Sequence, residues 1–397
     1  MSKALVLAGG GSLGAYQVGA VKCLLEKGER FDIITGTSIG ALNGALLCTG
    51  DYEKLRTLWL EITPDKVMKD GMNFNKDAIT SFDIAGSLSF LLSYVKSRGA
   101  DITPFKKLCA KYIDPKRIKE SKVRLGIVTV SFPGLKEVRV ELNKAKEEDI
   151  LPFLHASSAC VPIFPIETVA GSMYIDGFYK NNVPIDYAIS MGADEIVCVD
   201  MNMLSFTPQH SELLRMPNVK LITPSKSLGS IMDFTPEVIL ANMNQGYADA
   251  KKEYGDYIGF DYSFLSKDVK QAAESFKRSV LSMEEDDMRK AVKWLMDAAD
   301  AKGLDRPTAE QLLLLPLEHL LSKAKTPTDE LLRPREAAYS AMAKLIEEEK
   351  AKGDGILYRL FRRSPQTTVF RGEDECVLIS LASAFRLSPE LKLLEGK

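Results

Sequence analysis

The stretch Gly36-Thr37-Ser38-Ile39-Gly40 constrains the fold of this chain most strongly, because it places a serine between small residues at a junction of two regular elements. The apolar run at 31–34 precedes it and predicts a strand, and the helix-forming run at 41–47 follows it. A serine at such a strand-to-helix turn has an uncovered hydroxyl, and the free N–H groups of the helix favour negative charge developing nearby. Ser38 is therefore a candidate nucleophile, with Gly36 and Gly40 shaping its turn. Taken alone, the pattern is also typical of ordinary tight turns.

The segments around this turn predict the fold class. Residues 3–8 form an apolar run, the glycine-rich loop at 9–14 follows, and residues 15–26 have near-helical spacing of apolar side chains. A β-loop-α-β-turn-α order requires a parallel sheet with helices on its faces. We therefore expect an α/β fold with a mostly parallel central sheet covered by helices on both faces. Further strands are predicted at 123–130, 137–142, 173–175, 195–200 and 219–224.

The chain has 397 residues, which is more than one small core requires and suggests two domains. From about residue 263 onward the sequence is charged, poor in glycine and helical in pattern. We expect a catalytic α/β domain at 1–262 and a helical C-terminal domain at 263–397.

Composition narrows the classes of partner and cofactor. The chain has 52 Lys and Arg against 54 Asp and Glu, and this net charge of -2 gives no reason to expect a nucleic acid partner. The six cysteines are far apart and none forms a Cys-x-x-Cys pair, so we expect buried free thiols and no metal site. The apolar run at 4–8 is too short for a secretory signal, and no apolar stretch approaches the roughly 20 residues that span a bilayer. We expect a cytoplasmic protein.

The glycine-rich loop has two interpretations. Gly9, Gly11 and Gly14 follow a strand with the spacing of a dinucleotide fingerprint, in which a pyrophosphate approaches a helix N-terminus. That site requires an acidic residue at the end of the next strand, whereas Asp32 lies near its start. The same loop, brought beside Ser38 by a parallel sheet, could direct its N–H groups at the oxyanion of an acyl intermediate. We favour this second interpretation and expect no cofactor.

A nucleophilic serine requires a base, and the chain has only three histidines, His155, His210 and His319. Neither His210 nor His319 follows a strand in a way that would present it to Ser38, and we expect His155 to be a packing residue or to lie N-terminal to its helix. Asp176 does follow an apolar strand and precedes the flexible Gly177. A carboxylate is a weak base at its usual pKa of about 3.9, but a dry site raises its basicity. Asp-Gly is also a common turn sequence, so this assignment needs further support.

These motifs together resemble the patatin-like phospholipase family. The resemblance covers about residues 1–262 and includes the glycine loop, the Gly36–Gly40 turn, and Asp176-Gly177 with Asn182-Val183-Pro184. The segments at 156–159, 164–165 and 192–200 also look like that family. The resemblance implies a Ser-Asp dyad with Ser38 as nucleophile and Asp176 as base. It further implies an oxyanion hole from Gly9, Gly10 and Gly11, and ester hydrolysis of phospholipids or related lipids without a metal.

Two residues depart from the family pattern. Leu13 stands where the family usually has Arg or Lys, and Phe178 follows Asp176-Gly177 where Gly or Ala is usual. A catalytically silent scaffold that binds lipid or protein is therefore one alternative, and a Ser-His-Asp hydrolase using His210 or His319 is another.

Two other segments bear on membrane contact. The apolar stretch between Phe82 and Val95 reads either as a core helix or as a lipid-facing cover over the site. The run at 357–363 mixes aromatic and basic residues, which is typical of an interfacial anchor and also of a helix face packed on its own domain. The head group, the oligomeric state and the role of the C-terminal helices are not specified by these patterns.

Overall fold

The computed structural model describes residues 1–69, 100–202, 212–328, 330–352, 357 and 373–387. The chain divides into two compact units, Met1–Glu253 and Tyr254–Lys397. This division falls slightly before the predicted boundary at 262/263, because residues 257–265 pair within the second unit. His210, the apolar stretch between Phe82 and Val95, and all but the first residue of the 357–363 run lie outside the described residues.

Five parallel strands form the centre of the first unit. They are ordered β8-β7-β1-β2-β3. This confirms the predicted mostly parallel central sheet. The sequence runs that form them are short and apolar, and such runs suit strands buried on both faces. Their bounds are β1 Lys3–Leu7, β2 Ile33–Thr37, β3 Arg124–Phe132, β7 Glu195–Val199 and β8 Val219–Ile222.

Three antiparallel strands complete this eight-stranded sheet: β4 Glu137–Glu141, β5 Glu167–Val169 and β6 Ser172–Asp176. Residues 129–130 of β3 pair with both β4 and β6, and residues 126–128 pair with both β2 and β4. Since a strand has only two edges, β2 and β6 lie end to end along the same edge of β3. Their final residues, Thr37 and Asp176, pair with the neighbouring β3 residues Val128 and Thr129. The sheet topology therefore brings the ends of the two motif-bearing strands together.

Helices cover both faces of the sheet, as predicted. A Cβ at Gly44 in the helix Ile39–Cys48 would lie 3.1 Å from Leu125, and a Cβ at Gly126 would lie 2.6 Å from the ring of Tyr187. Because successive side chains of a strand point to opposite faces, these two contacts come from opposite sides of β3. The helices of this unit are α1 Gly14–Glu26, α2 Ile39–Cys48, α3 Tyr52–Glu61, α4 Pro64–Val67, α5 Thr103–Tyr112, α6 Pro115–Glu120, α7 Glu147–Ser157, α8 Ile185–Ser190 and α9 Pro236–Glu253.

Helices α1 and α9 pack with their backbones in close approach. A Cβ at Gly19 would collide with the carbonyl of Met243, and a Cβ at Gly246 would collide with the carbonyl of Tyr16. Only glycine allows two helices to approach so closely without displacement. The 18-residue α9 was not among the predicted helices.

The second unit is mainly helical and also contains a three-stranded sheet that the sequence did not predict. Its core includes the fully buried Phe264, Phe276 and Leu317. Among the described residues, no helix is both long and apolar enough to cross a bilayer. The elements are β9 Tyr257–Ile258, β10 Ser263–Leu265, α10 Ser266–Leu281, α11 Glu285–Ala301, α12 Ala309–Lys323, β11 Leu331–Leu332, α13 Pro334–Lys352 and α14 Glu373–Ala384.

Candidate active site

Ser38 lies at the sharp turn between β2 and α2. Its backbone angles are φ 56° and ψ −124°, a conformation that side-chain-bearing residues rarely adopt. Glycine is required on both sides, since a Cβ at Gly36 would lie 2.5 Å from the backbone of Gly40, and a Cβ at Gly40 would collide with the carbonyl of Leu7. The motif therefore serves a steric purpose, which is to let the serine turn outward while the helix packs tightly behind it.

Asp176 is the last residue of β6, and its carboxylate meets Ser38 directly. The Ser38 hydroxyl donates to Oδ2 of Asp176 at 2.7 Å, while the N–H of Phe178 donates to Oδ1 at 2.8 Å. Gly177 makes this geometry possible, because a Cβ there would collide with the carbonyl of Val128. The two predicted residues, far apart in the sequence, are thus in hydrogen-bond contact.

The environment of Asp176 changes its acidity. The residue is 1% exposed, and burial raises the pKa of its carboxyl from 3.8 to about 7. The N–H of Phe178 and the Ser38 hydroxyl oppose this rise, since both stabilise the ionised form. A carboxylate with a pKa near 7 is a much stronger base than an ordinary aspartate, which is what a nucleophilic serine without histidine requires.

Several further hydrogen bonds fix the turn that carries Ser38. The N–H of Ser38 donates to Oγ of Ser157 at 2.9 Å, and the Ser157 hydroxyl donates in turn to the carbonyl of Val128 at 2.6 Å. The hydroxyl of Thr37 donates to the carbonyl of Asn181 at 2.7 Å. Sequence reasoning included Ser157 only within a family-like segment, with no role, since its contact depends on how α7 packs against β3.

The glycine loop lies beside Ser38, but its first amide is already bonded. The N–H of Gly9 is shared between the side-chain oxygen of Asn182 at 3.1 Å and its carbonyl at 3.2 Å, and Nδ2 of Asn182 donates back to the carbonyl of Gly9 at 3.2 Å. The prediction that Gly9 faces an oxyanion must therefore be narrowed to Gly10 and Gly11. Both of these line the cavity next to Ser38, and within the described part of the chain their N–H groups have no hydrogen-bond acceptor.

The remaining residues of the glycine loop have structural roles. A Cβ at Gly14 would lie 2.5 Å from Ile39 and 2.8 Å from Trp59, so this glycine allows α1 to pack against its neighbours. Leu13, which replaces the basic residue usual in the family, is 4% exposed. Asp32 accepts the N–H of Lys3 at 2.9 Å at the start of β1, the sheet end opposite the loop. That position does not suit the ribose contact of a dinucleotide site.

A cavity of about 370 Å³ opens onto Ser38 and Asp176. Apart from these two residues, Ser158 and the two glycines, its lining consists of apolar side chains and Cys160. Phe178, which departs from the family pattern, is among them. An ester could place its carbonyl at the polar end and its hydrocarbon part along the remaining wall: Ile39, Leu42, Ile62, Val67, Phe105, Ile163, Phe164, Phe178, Ile231, Met232 and Phe234.

The two histidines that the structure describes lie in other settings. His155 is buried in α7 with its ring 6.3 Å from that of Phe105, and burial lowers its pKa to about 4. His319 lies in α12 of the second unit, 5.5 Å from the ring of Trp294. Neither is hydrogen-bonded to Ser38 or Asp176. Within the described ranges no cluster of three His, Cys, Asp or Glu side chains could bind a metal ion.

The first unit is similar in sequence to known proteins. Residues 5–189 match the family model described as Patatin-like phospholipase, and this range includes both Ser38 and Asp176. The chain is 29% identical over 199 residues to rat Patatin-like phospholipase domain-containing protein 7, covering 50% of this chain and 13% of that protein. It is 28% identical over 225 residues to Lysophospholipase nte1 of Aspergillus terreus, covering 52% of this chain and 12% of that protein.

Among solved structures, VipD of Legionella pneumophila aligns over 98% of this chain and 91% of its own, with 14% sequence identity and a TM-score of 0.42. The curated relatives are much longer than the region they share with this chain, which spans only about an eighth of their length. The region that matches the family model lies within the first unit. Residues 5–189 of this chain thus form a domain that matches the patatin-like phospholipase family.

Proposed function

We propose that this protein is a serine acyl hydrolase that cleaves ester-linked fatty acids from phospholipids or related lipids with a Ser38–Asp176 dyad. One observation carries the proposal: the 2.7 Å hydrogen bond from the Ser38 hydroxyl to a buried carboxylate at the end of a largely apolar cavity. The match of residues 5–189 to the patatin-like phospholipase family model supports a lipid substrate.

The first half of the reaction forms an acyl-enzyme. Asp176 accepts the proton of Ser38 as Oγ attacks the ester carbonyl carbon, and the carbonyl oxygen becomes an oxyanion. The N–H groups of Gly10 and Gly11, which border the cavity, stabilise this oxyanion. Asp176 then gives its proton to the departing alcohol oxygen as the ester C–O bond breaks, which leaves the acyl group on Ser38 and restores the carboxylate.

The second half repeats these roles with water. Asp176 takes a proton from water, the hydroxide oxygen attacks the acyl carbon, and the same amides bind the second oxyanion. The C–O bond to Ser38 breaks and Oγ recovers the proton from Asp176, which releases the fatty acid. The raised pKa of Asp176 suits both steps, since one group must accept and then donate a proton near neutral pH.

Two substitutions test this assignment. Ser38→Ala removes the nucleophile and Asp176→Asn removes the base while keeping its size, so each should abolish hydrolysis of a lysophospholipid or a p-nitrophenyl ester. A fluorophosphonate probe should label wild-type protein at Ser38 and should fail to label Ser38→Ala. Retained turnover in a folded form of either variant would contradict the dyad.

The alternatives predict different outcomes in the same experiments. A Ser-His-Asp enzyme would lose activity on His319→Ala or His210→Ala, whereas the dyad would keep it. A silent scaffold would show neither labelling nor turnover in the wild type. Membrane contact through the run at 357–363 stays a prediction, and liposome pelleting with and without the residues beyond Gly355 tests it.

A further inference from the structure

One wall of the catalytic cavity comes from outside the region that matches the family. Ile231, Met232 and Phe234 line the cavity, although the family model ends at residue 189. They belong to a short segment, residues 230–234, that precedes α9. Ser38, Asp176 and the glycine loop thus lie within the region that matches the family model, while this wall lies outside it.

The 230–234 segment is attached to the glycine loop by two hydrogen bonds. The N–H of Ser12 donates to the carbonyl of Ile231 at 2.8 Å, and the Ser12 hydroxyl donates to the carbonyl of Ser230 at 2.8 Å. The backbones are so close that a Cβ at Gly11 would collide with the carbonyl of Ile231. The segment is therefore held at a fixed distance from the amides that bind the oxyanion in the proposed reaction.

On the side of the segment, these two bonds involve only backbone carbonyls. The side chains that line the cavity therefore take no part in attaching the segment to the glycine loop. The side chains of Ser230 and Asp233 bond locally: Oγ of Ser230 accepts the N–H of Met232, and Oδ1 of Asp233 accepts the N–H of Thr235, just beyond the segment. Phe234 is 5% exposed. A substitution at Met232 or Phe234 can thus change the width of the cavity without removing a bond that anchors its wall.

The cavity itself favours recognition by hydrocarbon. Among the described lining residues, the only charged side chain is Asp176. The cavity has a volume of about 370 Å³, near the lower end of the range of about 300–1,000 Å³ for ligand pockets. This volume suits one acyl chain better than two. We propose that the 230–234 segment determines which acyl chain length the enzyme accepts. This inference rests on the proposed function and names the residues that set its selectivity.

A pair of opposite substitutions tests the proposal. Phe234→Ala should enlarge the cavity and shift the preferred substrate toward longer chains in a p-nitrophenyl ester series from butyrate to palmitate. Met232→Trp should narrow it and shift the preference toward shorter chains. Since one methylene in an apolar pocket changes kcat/KM by about tenfold or more, the ratio between the longest and shortest esters should change by at least about tenfold in each direction.

Leu240→Ala is the matched control, because Leu240 lies in α9 with 51% of its surface exposed and does not line the cavity. It should leave the chain-length profile unchanged. If Phe234→Ala does not fold, Phe234→Leu provides a smaller enlargement with the same expected direction.

Labelling of Ser38 by the fluorophosphonate separates this inference from the proposed function. If the wild type is not labelled, the hydrolase assignment itself fails. If the wild type and both cavity variants are labelled and active but share one chain-length profile, the assignment stands and the role of the 230–234 segment is wrong. Opposite shifts in the two variants would support the proposal.

Discussion

Ser157 accepts the N–H of Ser38 at 2.9 Å and so holds the proposed nucleophile by its backbone. The same hydroxyl donates to the carbonyl of Val128 at 2.6 Å, on the strand that pairs with both Thr37, the neighbour of Ser38, and Asp176. Ser157 is fully buried. One hydroxyl therefore links the strained turn of Ser38 to the β3 backbone against which Gly177 packs. It thereby fixes the position of the Ser38 backbone.

Ser157→Ala should lower kcat by about tenfold or more and change KM little, since the bonds it loses position Ser38 and do not touch the substrate. Stability should also fall by about 1–3 kcal/mol, because two buried backbone groups lose their partner. Ser157→Thr keeps the hydroxyl and should recover much of the kcat. Steady-state kinetics and urea unfolding measure both effects.

Ser380→Ala is a control for the loss of a buried hydroxyl, since Ser380 is fully buried in the second unit and donates to the carbonyl of Cys376 at 3.0 Å. It should leave kcat unchanged. A Ser157→Ala enzyme that loses stability but keeps wild-type kcat would show that the contact is only structural.

The activity should depend on the ionisation of Asp176. Because the carboxylate form is the base and its pKa is about 7, kcat/KM should rise with pH and level off above about pH 7. Below that value it should fall about tenfold for each pH unit, as expected for one titrating group. A pH profile with a neutral ester measures this. A profile flat down to pH 5 would mean that Asp176 is not the base.

The free energy of unfolding should also depend on the ionisation of Asp176, but it should fall as pH rises, whereas the activity should increase. The unfolded chain releases the Asp176 proton above about pH 3.9, whereas the folded protein holds it until about pH 7, so folding loses stability as pH rises between these values. The full difference corresponds to about 4 kcal/mol. Asp176→Asn removes this penalty and should raise the unfolding free energy at pH 8, with a smaller gain at pH 5. Urea titrations at both pH values check it, and an equal effect at both would contradict it.

Asn182 should matter for catalysis although it does not face the cavity. Asn182→Ala removes the side-chain bonds to both the N–H and the carbonyl of Gly9, which should release the glycine loop and lower kcat. Asn181→Ala is the matched control. Its side chain bonds to Glu137 and Asp186, so it should lower stability without lowering kcat. Equal kcat in the two variants would argue against a role for the loop.

Much of the first unit could be predicted because its signals are local. Short apolar runs alternate with helical periodicity, so the positions of β1, α1, β2 and α2 were predicted to within a few residues. Ser38 stood out because its Gly-x-Ser-x-Gly turn follows a predicted strand, whereas Asp176-Gly177 alone is also a common turn sequence and the family resemblance supplied its assignment. The meeting of Ser38 and Asp176 depends on β2 and β6 sharing one edge of β3, which no local pattern encodes.

Other features of the site depend on tertiary contacts and were not predictable. The direction of the Gly9 amide is set by Asn182, far away in the chain, and the loop sequence alone could not exclude it from the oxyanion site. The wall at 230–234 has no strand or helix periodicity, and its position follows from its bonds to Ser12. Ser157 could have been noted as a polar residue at the C-terminal end of α7, but its partners could not have been predicted.

The close contact between α1 and α9 also affects the dimensions of the cavity. Helix α1 starts where the glycine loop ends, and α9 starts just beyond Phe234. The first turn of each helix therefore adjoins one of two walls of the cavity, the glycine loop or the 230–234 segment. Gly19 and Gly246 determine how near those two walls can come. A single methyl group added at either position would force the helices apart and loosen the cavity from a distance, with every residue that surrounds the substrate left intact.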